Sequence, residues 1–62
     1  MGLMERPRIL RDKTIAEHPD LKNDVNELYQ LMLDEIEDGS SIMMEIDTFE
    51  ASIQDLIEDN NE

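Results

Sequence analysis

The chain has no cysteine or tryptophan, only two glycines and two prolines, and single residues of histidine, tyrosine and phenylalanine. Without cysteine, neither a disulfide framework nor a thiolate metal site can compensate for a small core. Gly2 and Gly39 alone cannot build a glycine-rich phosphate loop. His18, the sole histidine, leaves a zinc cluster or a Ser-His-Asp relay with one candidate member each. No Glu-x-x-His pair of the kind that holds two metals in a helical bundle is present. The expectation is a non-enzymatic protein with no catalytic residue, cofactor or metal. His18 reads as a helix-entry residue beside Pro19.

Long apolar runs are also missing. None approaches the roughly 20 residues that a membrane-spanning helix needs, and the N-terminus lacks the apolar core of a secretory signal. The opening Met-Gly would need Ser or Thr at the sixth place for myristoylation, and Arg6 stands there. These features, with the lack of cysteine, predict a protein of the cytoplasm without membrane contact.

Positive charge is scarce and unevenly placed. Against 17 Asp plus Glu there are 5 Lys plus Arg, for a formal net charge of -12. Arg6, Arg8, Arg11 and Lys13 fall in the first 13 residues, and beyond them Lys22 is the only Lys or Arg. The chain divides into a basic segment, residues 1–18, and a strongly acidic body, residues 19–62.

Within residues 1–18 no hydrophobic period is sustained, and Pro7 interrupts. Thr14 and Glu17 have capping-box spacing, but Pro19 follows too soon for a long helix. An extended or mobile arm with at most one helical turn is predicted. Leu3, Met4, Arg6, Arg8, Ile9, Leu10 and Arg11 are its candidate partner contacts.

In the body the spacing predicts helices at about residues 19–38 and 42–58. Pro19 suits a first helical position, with Asp20 at the positive end of the dipole. Leu21, Val25, Leu28 and Met32 alternate spacings of four and three, and Tyr29 and Ile36 widen the stripe. Gly39 supplies a left-handed cap and Ser41 can begin the next helix. Ile42, Ile46, Phe49, Ile53 and Leu56 continue the same alternation, with Ile57 beside Leu56. The short link predicts an antiparallel helical hairpin in an all-α fold. Because so short a chain buries a small core, pairing of two copies into a four-helix bundle is expected. Leu31 and Leu33 lie off the seam centre and, if exposed, mark a second packing surface. Met32, Met43 and Met44 read as core edge or oligomer contact.

The stretch DEIEDGSSIMME partly matches a calcium loop, with Asp34, Asp38, Gly39 and Glu45 at its first, fifth, sixth and twelfth places. Ile36 and Ile42 occupy the third and ninth, where oxygen ligands are needed. The stretch therefore reads as a helix end, a turn and a helix start.

Asp20, Asp24, Glu27, Asp34 and Asp38 cluster away from the apolar stripe of the first body helix. Asp20 with Asp24, and Asp34 with Asp38, are like-charge neighbours four apart, each pair destabilising by about 0.2–0.5 kcal/mol. A sequence shaped only for stability and solubility would use mixed Glu and Lys pairs. The run is either a solvated face or a binding surface for a basic partner. About 30 Å of duplex carries roughly 18 phosphate charges, a density comparable with this body.

In composition the chain resembles small acidic phage-encoded nucleic-acid mimics, which occupy phosphate-binding grooves of nucleases, polymerases or repressors. No residue motif is shared, so no functional residue carries over. The resemblance implies a regulator or inhibitor that presents acids to a basic nucleic-acid-handling protein, in the host cytoplasm if the chain is viral. The alternatives are a structural or assembly adaptor docking through its arm, and an antitoxin-like protein. Direct nucleic-acid binding by the body is disfavoured by its charge.

Overall fold

The computed structural model describes residues 2–60; Met1, Asn61 and Glu62, at the ends of the two regions above, lie outside the described residues. Every regular element among them is helical. Helix α1 spans Glu5–Glu17, a single 3₁₀ turn spans Pro19–Leu21, and helices α2 and α3 span Lys22–Glu37 and Ile42–Asn60. α1 packs on both α2 and α3, which also pack on each other.

The N-terminal segment corrects the expectation of an extended or mobile arm: it is a 13-residue helix. Arg, Leu, Lys, Glu and Ala make up most of it, and all are good helix formers. Pro7 is its third residue, in the first turn, where a missing N–H leaves no helical bond unmade. Thr14 is not a cap. It lies in the helix interior, 2% exposed, and its hydroxyl donates to the Leu10 carbonyl at 2.8 Å.

The buried side of α1 runs Met4, Pro7, Arg11, Thr14 and His18, all buried or half-buried and alternating three and four residues apart. That is a helical seam filled with unusual residues. Leu10 and Ile15 flank it and pack on the core.

His18 ends α1, as its neighbour Pro19 requires. Its backbone leaves helical geometry at φ -134°, ψ 72°, and its N–H still donates to the Thr14 carbonyl at 2.7 Å. Pro19 then opens the 3₁₀ turn closed by Leu21 N–H on the His18 carbonyl, 2.9 Å. The α-helix proper therefore starts at Lys22, three residues later than the proline implies.

At the other end of α2, Gly39 has φ +108°, and its N–H donates to Ile36 while Ser40 N–H reaches the Glu35 carbonyl, at 3.1 and 3.0 Å. This bond pair is a Schellman cap. Glu45 N–H on the Ser41 carbonyl, 3.0 Å, begins α3.

The core consists of Leu21, Val25, Met32, Ile46, Phe49 and Ile53. Leu28, Ile36 and Leu56 are half-buried against it. Ile42, expected at the head of the second stripe, departs from that placing: as the first residue of α3, beside the link, it is 39% exposed. Val25, Ile46 and Ile53 are 0%, 2% and 1% exposed within one chain, in which α1 packs on both α2 and α3.

Candidate protein-interaction surface

Two of the four basic residues of α1, Arg6 and Arg11, contact the chain's own body, and Arg8 and Lys13 are exposed. Arg6 forms an ion pair with Glu50 of α3, Nε to Oε2 at 2.7 Å, and a terminal guanidinium nitrogen donates to Oε1 at 2.9 Å. The Arg6 side chain remains 64% exposed, so this pair adds at most about 1 kcal/mol. Arg11 lies with its guanidinium carbon 4.4 Å from the centre of the Tyr29 ring and also binds Asp12 at 2.9 Å. Tyr29 in turn meets Phe49 edge-on, with centroids 5.8 Å apart. One cation and two rings thus join α1, α2 and α3.

The expected arm contacts divide accordingly. Met4 and Leu10 pack on the core and Arg6 and Arg11 bind the body. Arg8 is exposed, and Leu3 and Ile9 are exposed at 55% and 54%.

Asp20, Asp24, Glu27, Asp34 and Asp38 are all exposed. Asp34 accepts a bond from Gln30 at 3.2 Å, and the others have no side-chain partner among the described residues. Asp24 and Glu27 border a depression with Leu28, Leu31 and Leu56. This runs into a groove of about 180 Å³ lined by Leu28, Leu31, Met32 and Glu35 of α2 and Glu45, Thr48, Phe49 and Ser52 of α3. Asp34 lines neither depression.

No residue of α1 lines either depression, so the groove lies on a side of the α2 and α3 pair that α1 leaves uncovered. Its apolar floor includes Leu31, 52% exposed, while Leu33 packs against the core instead. The two leucines off the seam therefore have opposite fates. Glu35 and Glu45 were missed as surface residues. The signal was the spacing of Leu28, Leu31 and Glu35, three and four apart, which defines a second stripe beside the seam.

The acids of α2 also oppose its dipole. Glu35, Glu37 and Asp38 sit at the negative C-terminal end, where the last turn has no basic residue. Each such placement costs about 0.3–1 kcal/mol at low ionic strength. Beyond Lys22 neither α2 nor α3 carries a Lys, Arg or His to offset this.

The calcium-like stretch is folded as helix, Schellman cap and helix, and Ile36 faces the core. Among the described residues no helix is long and apolar enough to cross a membrane. Comparison with family models, with characterised proteins and with solved structures finds no match to this chain, so its own residues carry the functional argument.

Proposed function

We propose that the protein is a non-enzymatic regulator or inhibitor that presents the acids of α2 and α3 to a basic, nucleic-acid-handling protein. The observation that carries this reading is the charge division within the fold. The cations Arg6, Arg8, Arg11 and Lys13 are gathered on α1, while α2 beyond Lys22 and all of α3 are acidic and free of cations. The molecule is 35 Å long, and a duplex of that length carries roughly 20 phosphate charges, comparable with 17 carboxylates here.

In this reading α2 and α3 act as an antiparallel hairpin. Its support is the sharing of one depression by Glu35 and Glu45, near the link, and of the other by Asp24 and Leu56, far from it. The seam is buried within one chain, and pairing of two copies into a four-helix bundle would draw on the apolar residues left exposed, Leu31, Met43 and Met44 among them. Light scattering at micromolar concentration distinguishes one chain from a pair.

The test is a binding titration against a basic nucleic-acid-binding protein recovered with this chain from its native cell. Replacing Asp24, Glu27 and Asp34 by Asn, Gln and Asn should preserve the fold and weaken binding sharply. Duplex DNA should compete, and affinity should fall as salt rises, since exposed charges are screened beyond about 8–10 Å. Equal affinities, indifferent to salt and DNA, would reduce the acids to a solvated face.

A second reading, an assembly adaptor, draws on one observation: Leu3 and Ile9 are each more than half exposed although α1 is docked. Leu3→Asp with Ile9→Asp should abolish assembly in that case and leave the acidic-surface titration unchanged.

A further inference from the structure

We propose that the open groove between α2 and α3 takes a basic amphipathic helix from the partner protein. The inference rests on the acidic-surface reading and names the shape of partner it selects. Residues 24 to 35 of α2 border the groove over about 16 Å, three turns of a helix at 1.5 Å per residue. The floor is apolar: Leu28, Leu31, Met32, Phe49 and Leu56 line it, and Leu31 is half exposed. An amphipathic helix lays its apolar stripe into such a floor.

The rim decides the charge of the occupant. Asp24, Glu27, Glu35 and Glu45 border the groove, and none of its lining residues is a cation. A helix entering there must flank its apolar stripe with Lys or Arg. A second copy of the chain fits badly, because a two-fold contact through the groove sets each acidic rim against its own image, between molecules of net charge -12. The opposite side of the same helix pair shows the arrangement already in use. There α1, which holds four of the five cations, places Met4 and Leu10 on the core and Arg6 on Glu50.

The test uses the whole chain and two fluorescently labelled Leu/Lys peptides of about 18 residues, long enough to form a helix. One has leucines at helical spacing. The other has the same composition and charge, scrambled to remove the stripe. Anisotropy titrations should show the amphipathic peptide binding about tenfold or more tightly than the scramble. Leu31→Gln should remove about tenfold of that preference, the worth of roughly half a buried leucine, without changing the scramble's affinity. Thr48→Lys, at an exposed lining position, should weaken the amphipathic peptide by adding a cation to the rim. Circular dichroism of both variants should match the parent.

Equal binding of the two peptides, unchanged by Leu31→Gln, would overturn the groove and leave the acidic surface standing. Binding of neither would overturn both. A dimer in light scattering that Leu31→Gln dissociates would assign the groove to a second copy and overturn the proposal.

Discussion

Thr14 of α1 and Val25 of α2 have nearly the same shape and nearly the same burial, 2% and 0% exposed, yet they belong to two kinds of helix–helix contact. Val25 sits among aliphatic neighbours whose spacing marks the seam. Thr14 is buried in a contact made of Pro7, Arg11 and Thr14 itself, with its hydroxyl returned to the helix it stands in. The α2 and α3 pair is held by apolar area, whereas α1 adds to the half-buried Met4, Leu10 and Ile15 a guanidinium over a ring and one exposed ion pair. Such contacts bury polar groups without leaving them unpaired, and each adds less than an aliphatic core residue does.

The largest effect that sharpens this difference is expected in the aliphatic pair. Phe49→Ala should cost about 3–5 kcal/mol, as for other buried aromatic residues. A domain of this length has a total stability of roughly 3–9 kcal/mol at the usual value per residue. The variant should therefore be partly or wholly unfolded in denaturant titrations. A loss below about 1 kcal/mol would mean that Phe49 is not the packing centre of the pair.

On the α1 side, Arg11→Ala should cost about 0.5–2 kcal/mol, since a largely covered cation over a tyrosine ring is lost together with its stem. The near-ultraviolet signal of Tyr29 should change with it. No change in either quantity would break the comparison, because α1 would then be docked by something else. Thr14→Val is expected to leave stability unchanged or raise it by up to about 1 kcal/mol: a methyl replaces a hydroxyl, and the Leu10 carbonyl keeps its helical bond. The smallest effect should come from Arg6→Gln, at about 0.2–1 kcal/mol and vanishing in high salt. Its thermal melt at low and high ionic strength checks both parts.

What could be read in the chain follows the same division. The stripes of Val25 and Met32 and of Ile46, Phe49 and Ile53 gave the two body helices, because aliphatic periodicity survives without knowledge of the partner. Gly39 gave the end of α2, since the left-handed turn there suits a residue without a side chain. α1 was illegible for a physical reason. Pro7 and Thr14 sit at the positions where the seam should carry Leu or Val, so a count of hydrophobic residues finds no period. The proline looked like a break because its tolerance in a first turn depends on where the helix begins.

The acidic surface was half legible. Asp24 and Glu27 could be found as like-charge crowding on one face of a helix. Glu35 and Glu45 come to one groove only through the packing of α2 on α3, and Glu45 lies across the link in another element. Leu31 and Leu33 could not be told apart in the sequence. Which of them is exposed depends on α1 covering one side of the pair and leaving the other open.

The central claim is that α1 occupies one side of the α2 and α3 pair and so leaves the opposite groove as the open surface. Residue-resolved amide hydrogen exchange tests it most directly. The account predicts protection from Ile9 through Glu17, weaker than at the centre of α3 around Phe49 and Ile53, because α1 is the less firmly held helix and opens first. Exchange of the Ile9 to Glu17 amides at the rate of unstructured peptide, with α2 and α3 still protected, would contradict it. The basic segment would then be a free arm, and both sides of the acidic pair would be open.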